Sequence, residues 1–88
     1  MSTVDCSAHA EAARHQARRH FHLARAAVHE LRAWLAAPER ALWMPREAHL
    51  WYAAIDVARS RAEARRHRAS ARWWAMQARE TDLTEATL

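Results

Sequence analysis

The chain contains no glycine and only two prolines, and both prolines, Pro38 and Pro45, lie close together near the middle. Glycine and proline are the residues that most strongly disfavour a helix interior. On either side of this short stretch, therefore, nothing interrupts helix formation. Ala, Arg, Glu and Leu dominate the remainder, and these residues lose little on entering a helix. The only β-branched aliphatic residues are Val4, Val28, Ile55 and Val57, too scattered to form a strand. The expectation is an all-α fold: one long antiparallel two-helix hairpin in a single domain over residues 1–80.

Boundaries follow from local chemistry. Thr3 or Asp5 can cap the first helix, expected over about 5–36. Pro38 drives Ala37 out of the helical region, and the turn is placed at 38–44. Pro45 suits the first turn of a second helix, expected over about 46–80, with acidic Glu47 beside it. The segment 81–88 carries three threonines and no apolar stripe, so it is expected to fray.

Apolar residues recur at steps of three, four and seven. In the first half these are Ala10, Ala17, Phe21, Ala24, Val28, Leu31 and Leu35; in the second, Ala48, Trp51, Ile55, Ala58, Ala62, Ala69 and Met76. Folding about residue 41 brings Leu35 to Ala48, Leu31 to Trp51, Val28 to Ile55, Ala24 to Ala58 and Phe21 to Ala62. Large residues then meet small ones, giving a coiled-coil-like, alanine-rich seam. Arg14 and Arg65 interrupt it towards the open end, with their charges carried out to water.

This register separates two sides. One carries Leu23, Ala27, Trp34, Leu50, Ala54 and Val57, an apolar stripe that a lone hairpin leaves in water. Burial against a second copy would make a homodimeric four-helix bundle, a common remedy for a thin core. The other side is a basic ladder of Arg18, Arg25, Arg32, Arg59 and Arg66, with Tyr52 and Trp73 beside it. Such a ladder suits phosphates or an acidic protein surface, or it is simply a solvated face balanced by Asp56 and Glu63. Leu42, Trp43 and Met44 make the turn unusually apolar, a candidate docking tip.

Other classes find little support. The single Cys6 excludes an internal disulfide. His15, His22 and His29 share a helix face, but neighbours seven apart are about 10 Å distant, too far for one ion. Cys6 and His9 supply at most two ligands, so no metal site or cofactor is expected. Without glycine there is no phosphate-cradling loop or nucleophile elbow, and no catalytic residue is assigned. No signal-peptide pattern or span of about 20 apolar residues is present, so no membrane association and a cytoplasmic location are expected. The sequence therefore points to a small non-enzymatic regulatory or adaptor protein acting by protein–protein contact. The partner surface would be acidic or apolar, and nucleic acid is the alternative ligand.

Overall fold

The computed structural model describes residues 2–87. Two helices account for almost all of it: α1, Thr3–Ala36, and α2, Arg46–Thr87, joined by a short 3-10 turn at Glu39–Ala41. They form the expected antiparallel hairpin, a rod of 70 × 14 × 13 Å. Its radius of gyration, 19.7 Å, far exceeds the roughly 12 Å of a compact domain of this length.

Each boundary has a local cause. Ser2, rather than Thr3 or Asp5, caps α1: its hydroxyl oxygen accepts from the Asp5 amide at 3.2 Å. Ala37 takes an extended conformation (φ −65°, ψ 137°) directly before Pro38, which stops the helix. Two of the carbonyls left open at that end, and that of Ala37 just beyond it, accept from one side chain. The Arg46 guanidinium donates to the carbonyls of Trp34, Leu35 and Ala37, at 2.5, 3.2 and 2.8 Å. The cation also lies where the helix dipole favours positive charge.

The C-terminal segment is a correction. Residues 81–87 continue α2 as helix instead of fraying. The hydroxyls of Thr84 and Thr87 donate back to the carbonyls of Glu80 and Thr84, each at 2.9 Å, which suits threonine inside a helix. Thr3 Oγ1 donates to Glu85 at 3.2 Å, tying this segment to the start of α1.

The seam is also displaced from the expected one. On α1 it runs through Thr3, Cys6, Ala10, Ala13, Ala17, His20, Ala24, Ala27, Leu31 and Trp34, all buried or half-buried at alternating steps of three and four. On α2 it runs through Arg46, His49, Ala53, Val57, Ser60, Ala64, His67, Ala71, Trp74, Ala78 and Thr81. Two successive steps of four around Ala53 are a local stutter in that repeat. Ala10, Ala17, Ala24 and Leu31 keep their expected seam places. Phe21 (49% exposed), Leu35, Trp51 and Met76 do not. At Phe21 the reason is steric: Ala17, Ala24, Ala64 and Ala71 let the two backbones approach closely there, and a phenylalanine between them would hold them apart. The seam's tryptophans, Trp34 and Trp74, lie towards its two ends. The fully buried apolar set is Cys6 and eight alanines, with no large side chain among them.

Candidate functional site

With the seam placed, the positions beside it define two long flanks. On the first, α1 contributes Arg14, Phe21, Val28 and Leu35, with Arg18, Arg25 and Arg32 on the outer rim. The same flank of α2 carries Arg61 and Arg68, with Arg65, Arg72 and Arg79 at the next positions outward. Two adjoining stretches of one groove show the arrangement directly. Phe21, Ala24, Arg25, Val28, His29, Arg32 and Arg61 line one stretch; Arg14, Ala17, Arg18, Phe21 and Arg68 line the other.

This groove has an apolar floor and walls of six arginines. Along the whole flank Glu11 sits among nine arginines, while Glu47 and Asp82 lie at the two ends. Nine arginines against three acids leave a formal charge of +6 on this flank, and with +4 over the whole chain the remainder carries −2. Arg14 and Arg18 share Glu11, at 3.1 and 3.8 Å. Among the described residues the other seven arginines of this flank, four of which (Arg25, Arg32, Arg61 and Arg68) line the groove, form no ion pair. A row of unpaired cations along an apolar strip exceeds what the fold needs for itself, because such exposed charges contribute little to stability.

The opposite flank is mixed. Leu23, Ala26, Ala27, Glu30, Asp56, Arg59 and Ser60 line a cleft there. Further from the turn, Glu63 accepts from Arg66 and lies 3.4 Å from His67, whose ring stacks with that of His20 at a centroid distance of 5.3 Å. The Arg66 hydrogen bond holds the Glu63 carboxyl below its ordinary range; partial burial works the other way, and the nearby Arg66 charge reinforces the lowering.

Near the turn, Trp34 and His49 stack at 3.8 Å, and Trp43 meets His49 edge-on at 5.2 Å. His49 is 2% exposed, and its Nε2 has no hydrogen-bond partner. Of the apolar tip, Leu42 and Met44 are half-buried, whereas Trp43 is 78% exposed.

The basic ladder expected from the sequence divides between the flanks. Arg18, Arg25 and Arg32 stay together, but their partners across the groove are Arg61 and Arg68. Arg59 lies in the opposite cleft, and Arg66 is engaged by Glu63. Tyr52 joins the aromatic group at the turn, and Trp73 meets Trp74 edge-on. The expected apolar stripe is likewise dispersed. Ala27 is buried in the hairpin's own seam, with Trp34 and Val57 half-buried there. Leu23 lies on the mixed flank, while Leu50 and Ala54 fall towards the groove side. These six residues therefore make no single surface for a second copy.

Among the described residues, one group of His, Cys, Asp or Glu side chains converges closely enough to hold a metal ion: His20, Glu63 and His67. Among the described residues no helix is long and apolar enough to cross a membrane. Comparison with family models, with curated proteins and with solved structures finds no match to this chain.

Proposed function

We propose that this protein is a non-enzymatic adaptor whose arginine-flanked groove receives an acidic amphipathic helix of a partner protein, completing a three-helix bundle. The observation that carries this reading is the pairing of an apolar floor with cationic walls in one groove. A phosphate backbone would use the walls and leave the floor covered without compensation. A helix with leucines on one face and glutamates along both borders uses both. Arginine suits the role, because its planar fork meets a carboxylate with two parallel hydrogen bonds.

The exposed surface supports an incomplete fold. A compact protein of 10.2 kDa exposes about 5300 Å², and this hairpin exposes 6526 Å². The excess, about 1200 Å², exceeds the roughly 800 Å² that each partner contributes to a standard interface. A second copy of the chain is a poor occupant of the groove, since it would set one +6 flank against another. From Ala17 to Leu35 the floor runs about 27 Å, the length of an 18-residue helix at about 1.5 Å per residue.

The test is a titration of the full chain with a labelled acidic amphipathic peptide of that length, at about 0.15 M ionic strength. Two comparison ligands are a scrambled peptide of identical composition and a single-stranded RNA of similar charge. The amphipathic peptide is expected to bind at least about tenfold more tightly than either, a difference of about 1.4 kcal/mol. Arg61→Glu with Arg68→Glu is expected to abolish the preference. RNA binding more tightly than the peptide would transfer the groove to nucleic acid, and equal binding of the scrambled peptide would reduce it to a generic polyanion surface.

A further inference from the structure

Two histidines occupy seam positions facing one another midway along the hairpin, in a stretch whose adjoining layers are Ala17, Ala24, Ala64 and Ala71. Packing alone does not call for them: an imidazole carries polar nitrogens that lose water on burial, and alanine fills the neighbouring layers. His20 comes from α1 and His67 from α2, and the carboxylate of Glu63 stands one helical turn before His67 on the same face. Their candidate ligand atoms all lie within 4.8 Å of one another, and all three side chains are half-buried.

We infer that His20, Glu63 and His67 form a binding site for a divalent transition-metal ion, best matched by zinc, that clips the two helices together. Two imidazoles and one carboxylate are borderline donors suited to this class of ion. Zinc ligands stand about 2.0–2.2 Å from the metal. In tetrahedral geometry this places neighbouring ligand atoms about 3.3 Å apart. The His67 Nε2 to Glu63 Oε2 separation is already 3.4 Å. Since no separation in the group exceeds 4.8 Å, the ligand atoms have to close by at most about 1.5 Å, which is within the reach of side-chain rotation.

The nearest competing cation is Arg66: its guanidinium donates to Glu63, the group's one carboxylate, and lies 3.4 Å from the His67 Nε2. That side chain is exposed, so a metal ion that takes both ligand atoms displaces it into water. The fourth coordination position is left to water, since no further His, Cys, Asp or Glu belongs to the group. The site lies on the mixed flank, across the seam from the arginine groove, so it does not compete with a partner helix for space. Its ligands come from both helices, and loading it therefore stabilises the hairpin as a hairpin.

The experiment is zinc chloride titrated into the full chain in a non-coordinating buffer, followed by calorimetry and by thermal unfolding. Cobalt substitution reports the coordination geometry through its visible absorption. One equivalent is expected to bind, with a rise in melting temperature that chelation reverses and a tetrahedral cobalt spectrum. His20→Ala and His67→Ala are each expected to weaken binding at least about tenfold, by the standard of metal-site mutations. Both place alanine in an alanine seam, and helix content by circular dichroism confirms that they fold. His15→Ala with His22→Ala, on the exposed face of α1, is expected to leave binding unchanged. The inference is overturned if no saturable equivalent binds. It is overturned equally if His20→Ala and His67→Ala bind as well as the unaltered chain, or if the His15 and His22 variant accounts for the loss.

Discussion

The alanine seam makes a sharp demand at neighbouring positions of α2. Ala64 is 5% exposed and packs between the helices, whereas Ala62, two residues earlier, faces water. Ala64→Leu forces three additional carbons into a contact with no room for them. Overpacking of this kind costs about 1–3 kcal/mol. For a domain of this size each kcal/mol corresponds to about 4–8 °C in melting temperature, so a fall between about 4 and 24 °C is expected. Ala62→Leu adds the same carbons at an exposed position, where changes stay within about 0.5 kcal/mol. Leucine and alanine are both good helix formers, so propensity does not separate the two variants. Thermal unfolding followed by far-ultraviolet circular dichroism measures both. If Ala62→Leu were destabilising and Ala64→Leu tolerated, the seam would pass through Phe21 and Ala62, and the groove described above would not exist.

Three further predictions follow from individual contacts. Arg46→Ala removes donors to three carbonyls at the end of α1 and is expected to cost about 2 kcal/mol, as hydrogen bonds to charged groups do, seen as an earlier melting transition. His49→Phe keeps the stack on Trp34 and removes the unpartnered Nε2. Relief of that desolvation cost, about 1–3 kcal/mol for an unsatisfied buried group, is expected to raise the melting temperature, and a fall would reveal a partner for the nitrogen. Phe21→Asp is expected to leave helix content and melting temperature nearly unchanged, since the ring is half exposed, while weakening the acidic peptide at least about tenfold, as loss of a central anchor does.

The hairpin was legible because its signals are local and unopposed: no glycine, two prolines close together, and helix-forming residues throughout. The position of the seam was less so. Large apolar residues dominate a periodicity count, yet Phe21, Leu35 and Trp51 lie off the seam. The informative pattern was the quieter run of small residues, Cys6, Ala10, Ala13, Ala17, Ala24 and Ala27 on α1, with Ala53, Ala64, Ala71 and Ala78 on α2.

Everything placed by reference to the seam moved with it. Arg18, Arg25 and Arg32 found Arg61 and Arg68 across the groove instead of Arg59 and Arg66, and the ligand group at His20 and His67 came into view only once both histidines faced inward. The tie of Thr3 to Glu85 spans nearly the whole chain, so no local pattern at residues 81–87 could announce it. Arg46 as the cap of α1 depends in the same way on how the turn closes.

The central claim is that the arginine-flanked groove is the docking surface, and a methyl-resolved NMR titration with the acidic amphipathic peptide tests it most directly. The methyl signals of Ala17, Ala24 and Val28 are expected to shift together and saturate, while those of Leu23 and Ala26 on the opposite flank stay in place. Saturating shifts confined to Leu23 and Ala26, or binding that moves none of the groove methyls, would contradict it.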